Sequence, residues 1–180
     1  MMFKKMLVAS AILAATSAAF ADINPAPYLG ASVGVVDNTS SAGSFRGAPL
    51  TISGGYGGVI NQNFYLAGEV FGVLATSTFD SNPTASHSSI KTTHAYGASI
   101  IPGVMISDHT MTFARLGVVK SRFTNYGESV AGGQAGLGIQ TALTQHVDLR
   151  GEYDYSKYNK FSGVSAKSDA FNVGLVYKFE

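Results

Sequence analysis

Residues 130–158 read VAGGQAGLGIQTALTQHVDLRGEYDYSKY. In the first half, Gly132, Gln134, Gly136, Gly138 and Gln140 share one parity, while Leu137, Ile139 and Leu143 share the other. In the second half, Arg150, Glu152 and Asp154 alternate with Leu149, Tyr153 and Tyr155. Period-two alternation is the mark of a strand with two unlike faces. The link Thr144-Gln145-His146 is short enough to make the two runs an antiparallel hairpin. The decisive point is which face is which. A soluble barrel buries its largest apolar side chains and exposes its charges. Here the charge-bearing faces are small and glycine-rich, and the opposite faces carry the bulk. That distribution fits a narrow lumen filled by small and polar groups, with large apolar residues turned toward lipid. A secreted lipocalin-like barrel would need the reverse.

The same pattern recurs outward from this hairpin. Strand-like segments run over Tyr28–Val36, Leu50–Ile60, Phe64–Ala75, Thr93–Ile106, Met111–Arg122, Val130–Leu143, Val147–Tyr158 and the terminal stretch from Asp169. Segments of about ten residues with this alternation are the signature of transmembrane β-strands. Three connections are tight: Asn61-Gln62-Asn63, Ser107 to Thr110, and Thr144-Gln145-His146. Four are longer and rich in Ser, Thr, Asn and Gly: Asp37 to Gly47, Thr76 to Thr92, Phe123 to Ser129, and Asn159 to Ser168. Long and short alternate, as they do when short periplasmic turns and longer external loops join the strands of an outer-membrane barrel. The expected fold is therefore all-β, an eight-stranded antiparallel up-and-down transmembrane barrel.

The N-terminus agrees with export. Lys4 and Lys5 precede the apolar run Met6 to Ala15, and Ala19-Phe20-Ala21 fits a small-x-small cleavage site. Residues 1–21 read as a cleavable signal peptide and residues 22–180 as the barrel domain. The apolar run is too short for a transmembrane helix. Cleavage removes two lysines and no acid, turning a formal charge of +1 into −1. That balance gives no support for a nucleic-acid partner. There is no cysteine, which excludes disulfides and thiol chemistry. Charged residues make up only 13% of the chain, and 21 residues are glycine.

The last residues, Asp169 to Glu180, read DAFNVGLVYKFE. Phe171, Val173, Leu175, Tyr177 and Phe179 alternate with Asn172, Gly174 and Lys178, and Val176 breaks the pattern. An unpaired edge in lipid leaves backbone groups unsatisfied, so this strand is expected to close the barrel against the first. Its aromatics, Phe171, Tyr177 and Phe179, resemble the C-terminal signal read by the outer-membrane assembly machinery, with Glu180 as one trailing residue. Taken with GLGIQTALTQHVDLRGEYDYSKY at 136–158, the chain resembles the small outer-membrane barrels of Gram-negative bacteria, the OmpA-type transmembrane domain and the opacity and Ail-like surface proteins, within the porin family of barrels. The resemblance covers nearly all of the mature chain. It implies residence in the cell outer membrane; a monomer is expected, and with no segment after Glu180 the peptidoglycan-binding domain of OmpA-type proteins is not expected.

Candidate chemistry is sparse. Glu69, Arg115, Arg150, Glu152, Asp154 and Lys178 all fall on inward faces. Buried charge is tolerated when paired, so an ion network plugging the lumen is expected; a gated pore is the alternative. His87, His94, His109 and His146 show no metal-ligating spacing. Ser86 to Ser89 reads SHSS, the residue types of a lipid A-modifying enzyme, but in a Ser-rich loop with no orienting acid. No catalytic residue, metal or cofactor is assigned. Phe45, Phe79, Phe123, Tyr126 and Phe161, in or beside the long loops, form a candidate docking surface for a host or envelope protein. Lys157, Lys160 and Lys167 lie where lipopolysaccharide phosphates would sit. The reading is a structural or surface-interaction protein, with a small-solute channel as the runner-up and a lipid A-modifying enzyme behind it.

Overall fold

The computed structural model describes residues 25–40, 43–61, 63–78, 92–123, 129–159 and 166–179. Eight strands follow in order: β1 Ala26–Ser40, β2 Gly43–Asn61, β3 Phe64–Thr78, β4 Thr92–Ser107, β5 Thr110–Phe123, β6 Ser129–Ala142, β7 Val147–Tyr158 and β8 Ala166–Lys178. Each pairs antiparallel with its neighbours, and β8 returns to β1 to close the barrel. The seam is continuous from Tyr28 opposite Lys178 to Ser40 opposite Ala166. The terminal strand therefore has a complete set of ladder partners, and closure leaves no edge among the described strands.

The strands run further than their alternation indicated. The first long connection, expected over Asp37 to Gly47, is mostly strand: Asp37 faces Arg46 and Ser40 faces Gly43 in register. The hydrophobic pattern ends at Val35, but the backbone ladder does not. The backbone ladder carries the polar extension, and across it Arg46 and Asp37 form an exposed ion pair at 2.9 Å. Likewise β8 begins at Ala166, inside the stretch expected as loop. Alternation of apolar residues marks where a strand meets lipid, and polar extensions beyond it are invisible to that signal.

Outward faces carry the bulk. Leu29, Val33, Ile100, Val104, Leu116, Val118, Leu137, Ile139, Phe171 and Leu175 are all exposed on the barrel exterior. On β4 the band runs from Tyr96 to Ile106. Ten residues at about 3.3 Å each, tilted by about 40°, give a height of about 25 Å, the apolar thickness such barrels present.

The lumen departs from the expectation of small and polar groups alone. Two apolar clusters sit inside. Ala95, Val119, Val130, Tyr158 and Ala166 form one near the end with the long connections, with Phe71 and Val73 against it. Tyr28, Ala67, Ile101, Met111, Phe113 and Val176 form the other nearer the tight turns, with Tyr65 and Met105. Val176, the residue that broke the alternation of β8, belongs to this second cluster. Glycines on facing strands make room for the rings. A Cβ at Gly97 would collide with the Phe71 ring, and one at Gly138 with the Phe113 ring. Gly55, Gly97 and Gly138 thus complement the rings of Tyr28, Phe71 and Phe113 from adjacent strands.

Candidate functional site

Between the two apolar clusters the lumen is crossed by a chain of charged and polar side chains. Inward parity places Glu69 on β3, Arg115 on β5, and Asp148, Arg150, Glu152 and Asp154 on β7, all buried. β3 and β7 lie on opposite sides of an eight-stranded ring, so contacts between them span the full interior.

Arg150 Nη1 donates to Glu69 Oε2 at 2.7 Å, and Arg115 Nη2 donates to Glu69 Oε1 at 2.7 Å. One carboxylate therefore bridges two guanidiniums. The Tyr28 hydroxyl donates to the same Glu69 Oε2 at 3.0 Å. Arg115 also holds Glu152 through two bonds, Nε to Oε1 and Nη2 to Oε2, the latter at 3.0 Å. This fork-to-fork pairing is the strong form of an ion pair. Arg115 Nη1 donates to Ser99 Oγ at 2.7 Å, and Asp154 Oδ1 lies 3.6 Å from Arg115 Nε. The guanidiniums stack on rings as well: Arg115 lies 5.6 Å from the Phe71 centroid, and Arg150 lies 5.2 Å from Phe113 and 5.6 Å from Tyr28. Aromatic faces replace part of the water such cations lose.

Lys178 stands apart from this cluster. It pairs with Asp148 at 3.4 Å toward the turn end. Two hydrogen bonds through the Gln140 amide link it back: Gln140 Nε2 donates to Asp148 Oδ2 at 2.6 Å, and Arg150 Nε donates to Gln140 Oε1 at 2.7 Å. The six charges singled out in the sequence thus lie on one continuous path, but only through Asp148 and Gln140. Asp148 was missed, although it shares parity with Arg150 and precedes it by two residues. Tyr28 and Ser99 were also missed; a lone tyrosine or serine on an inner face carries no signal that distinguishes a network partner from lumen filling.

Two cavities flank the network. The one toward the loop end has a volume of about 120 Å³ and reaches down to Glu69, Arg115, Glu152 and Asp154. The one toward the turns has a volume of about 260 Å³ and is lined by Tyr28, Tyr65, Met111, Gln140 and Asp148. Between them lies the paired charge itself.

Over residues 6–179 the sequence matches the family described as the outer membrane protein beta-barrel domain. The chain belongs to that family. As a family member with a closed eight-stranded barrel, it resides in the outer membrane, its tight turns periplasmic and its longer loops external. Among solved structures, it is similar to Neisserial surface protein A, with 22% identity and a TM-score of 0.62, covering 85% of this chain and 97% of that one. It is also similar to Ail, the attachment invasion locus protein of Yersinia pestis, with 15% identity, a TM-score of 0.49 and coverage of 84% and 99%. OprG from Pseudomonas aeruginosa matches at 10% identity and a TM-score of 0.47, covering 86% and 96%. These likenesses are of fold. No curated protein matches the sequence.

Phe171, Tyr177 and Phe179 are exposed on the outer face of the closing strand and its end. Tyr177 packs edge-on against Phe179 with centroids 5.0 Å apart. Phe45 and Phe123 lie at the external ends of β2 and β5. Phe79, Tyr126, Phe161, Lys160, Glu180 and the SHSS stretch with His87 lie outside the described residues. His109 and His146 occupy two different periplasmic turns, and His94 points outward near the external end of β4.

Proposed function

We propose that the protein is a structural or surface-interaction barrel whose lumen is plugged by side chains. The observation that carries this reading is Glu69 bridging Arg150 and Arg115, from one wall of the barrel to the other, with every guanidinium and carboxylate of that bridge buried. A barrel sealed in this way acts through its outside. The external side offers two kinds of surface. Lys120, Arg122, Lys157 and Lys167 are exposed just beyond the apolar band, at the level of lipopolysaccharide phosphates. The aromatics of the long connections, Phe45, Phe79, Phe123, Tyr126 and Phe161, are the second, as a docking surface for a host or envelope partner. The protein is a monomer in this reading, exported by cleavage of residues 1–21, handed to the assembly machinery through its terminal aromatics, and without catalytic activity.

Planar-bilayer conductance of the refolded protein tests the plug. Closed or rare, brief openings are expected. Steady conductance in the wild-type protein would replace this reading with the small-solute channel, for which the two flanking cavities would be the vestibules. Lipid A incubated with the protein should keep its acyl-chain pattern; a change abolished by His87→Ala would establish an enzyme instead.

A further inference from the structure

Two of the chain's five methionines lie beyond residue 21, Met105 and Met111. The fold brings these two face to face. Met105 on β4 and Met111 on β5 are register partners on either side of the Asp108-His109 turn. Both belong to the inner face. Val104 and Ile106, flanking Met105, are exposed on the exterior, while Met111 is buried in the apolar cluster that Met105 packs against. Opposed side chains on one face of a ladder have Cβ atoms about 4.5–5.5 Å apart, within reach of two flexible thioethers that converge. Methionine is an ordinary filler of uneven core space. Filling alone gives no reason for the residue that stands beside them.

That residue is His109. It lies two positions before Met111 and lines the same cavity as both methionines, the one of about 260 Å³ toward the periplasmic turns. Its backbone is tied down: the carbonyl accepts from the Ala142 amide at 2.8 Å, and the His109 amide donates to Ser107 Oγ at 3.4 Å. Asp108 and Asp148 line the cavity as well and favour a cation there, while Lys178, which also reaches it, is paired with Asp148. Among the described residues no three His, Cys, Asp or Glu side chains are grouped to hold a metal ion. Two thioethers and an imidazole around one cavity are a different kind of ligand set, and the spacing of histidines alone does not reveal it.

We propose that the thioether sulfurs of Met105 and Met111 and a ring nitrogen of His109 bind one Cu(I) ion at the periplasmic mouth of the barrel. Thioether sulfur selects soft Cu(I), and imidazole suits zinc, copper, iron and nickel, so copper is the metal common to both ligand types. All three ligands are uncharged. The bound ion therefore keeps its single positive charge, in a cavity whose wall includes Asp108 and Asp148. Because the three ligands come from one hairpin, no strand has to move to gather them. Rotation of side chains suffices, and methionine's three rotatable bonds supply it. The site faces the periplasm and stands whether or not the lumen conducts.

The test is a metal titration of protein extracted from outer membranes and labelled with 13C at its methionine methyl groups, read by NMR. Met105→Leu and Met111→Leu assign the two signals. Silver nitrate in chloride-free buffer serves as a redox-inert probe of the same charge and softness, and Cu(I) under anaerobic ascorbate follows. Both methyl signals should shift in concert and reach a plateau at one equivalent of either ion. His109→Gln should weaken binding at least about tenfold, as loss of a ligand does, while both signals still respond. Its position in an exposed turn leaves the fold intact, and His146→Gln, in a different turn, should change nothing. In Met111→Leu, which keeps the side-chain volume, the Met105 signal should need at least about tenfold more metal. Zinc sulfate should leave both signals in place. Methyl signals that shift independently, or without a plateau at one equivalent, would show two methionines that only fill space and would overturn the proposal. So would unchanged affinity in His109→Gln, an equal response to zinc, or binding of silver without Cu(I).

Discussion

Truncating Arg115 to alanine is the most direct probe of the plug. The side chain makes four hydrogen bonds, two to Glu152, one to Glu69 and one to Ser99, and stacks on Phe71. At about 1.5–3 kcal/mol for each bond to a charged group, a simple sum would reach about 6–12 kcal/mol. That sum is too large. Glu69 keeps Arg150 and the Tyr28 hydroxyl, and the vacated space adjoins the external cavity, so water can reach Glu152. The part that remains is the cost of leaving Glu152 and Asp154 without a cation, about 3–5 kcal/mol where water is kept out. With a urea slope of about 2 kcal/mol per molar, the unfolding midpoint should fall by about 1.5–2.5 M. The deficit should be largest at neutral pH and shrink in acid, where the abandoned carboxylates take up protons and lose their charge. Adding Glu152→Gln to Arg115→Ala should recover part of the loss for the same reason. Folding into lipid vesicles, followed by urea titration of tryptophan-free protein through tyrosine fluorescence or circular dichroism, reads the midpoint directly. If Arg115→Ala changes neither the midpoint nor the conductance, the lumen is already solvated around these charges and the plug does not exist.

Glu69→Lys should be worse than Arg115→Ala in the same assay, because it places a third cation beside two guanidiniums. Leu137→Arg should impair insertion by about 2–4 kcal/mol, since Leu137 is 68% exposed on the lipid face, whereas Gln134→Arg, pointing inward beside Asp154, should be tolerated; equal effects in vesicle-folding yields would refute the assignment of faces. Gly138→Val should destabilise by crowding the Phe113 ring and the Gly151 carbonyl, and adding Phe113→Ala should relieve only the part owed to the ring, measured as a double-mutant cycle. Cysteines at Ser40, Ser86 and Ser162 should label with an impermeant maleimide on intact cells, and cysteines at Gln62 and Gln145 should not; labelling at Gln62 would invert the topology.

The architecture was legible because lipid imposes a rule that sequence cannot hide. Residues facing the bilayer are predominantly apolar, so Leu137, Ile139, Leu149 and Tyr153 announce their face, and the opposite parity becomes the lumen by subtraction. The charges of the plug were legible for the same reason: Glu69 and Arg115 are the charged residues on the inner faces of β3 and β5, and Arg150 and Glu152 alternate with the lipid-facing Leu149 and Tyr153. Where the lipid rule stops, so did the reading. Strand length beyond Val35 was lost because Asp37–Arg46 pairing is polar on both sides. The inner aromatics were underestimated because Phe71 and Phe113 are balanced by Gly97 and Gly138 on neighbouring strands, a complementarity between residues far apart in the chain.

That complementarity also explains why the network sits where it does. An arginine in a barrel of eight strands needs space for its guanidinium and something to replace the water it loses. Glycines opposite the rings bring Phe71, Phe113 and Tyr28 far enough inward to stack on Arg115 and Arg150. The rings in turn close the space around the ion pairs, which lowers the local dielectric and strengthens each remaining contact. The same closure makes any uncompensated charge more costly. Glycine placement, aromatic packing and charge pairing are therefore one constraint. A substitution that enlarges an inner glycine should therefore loosen the ion pairs even when it touches no charge, because it displaces the ring that a guanidinium stacks on.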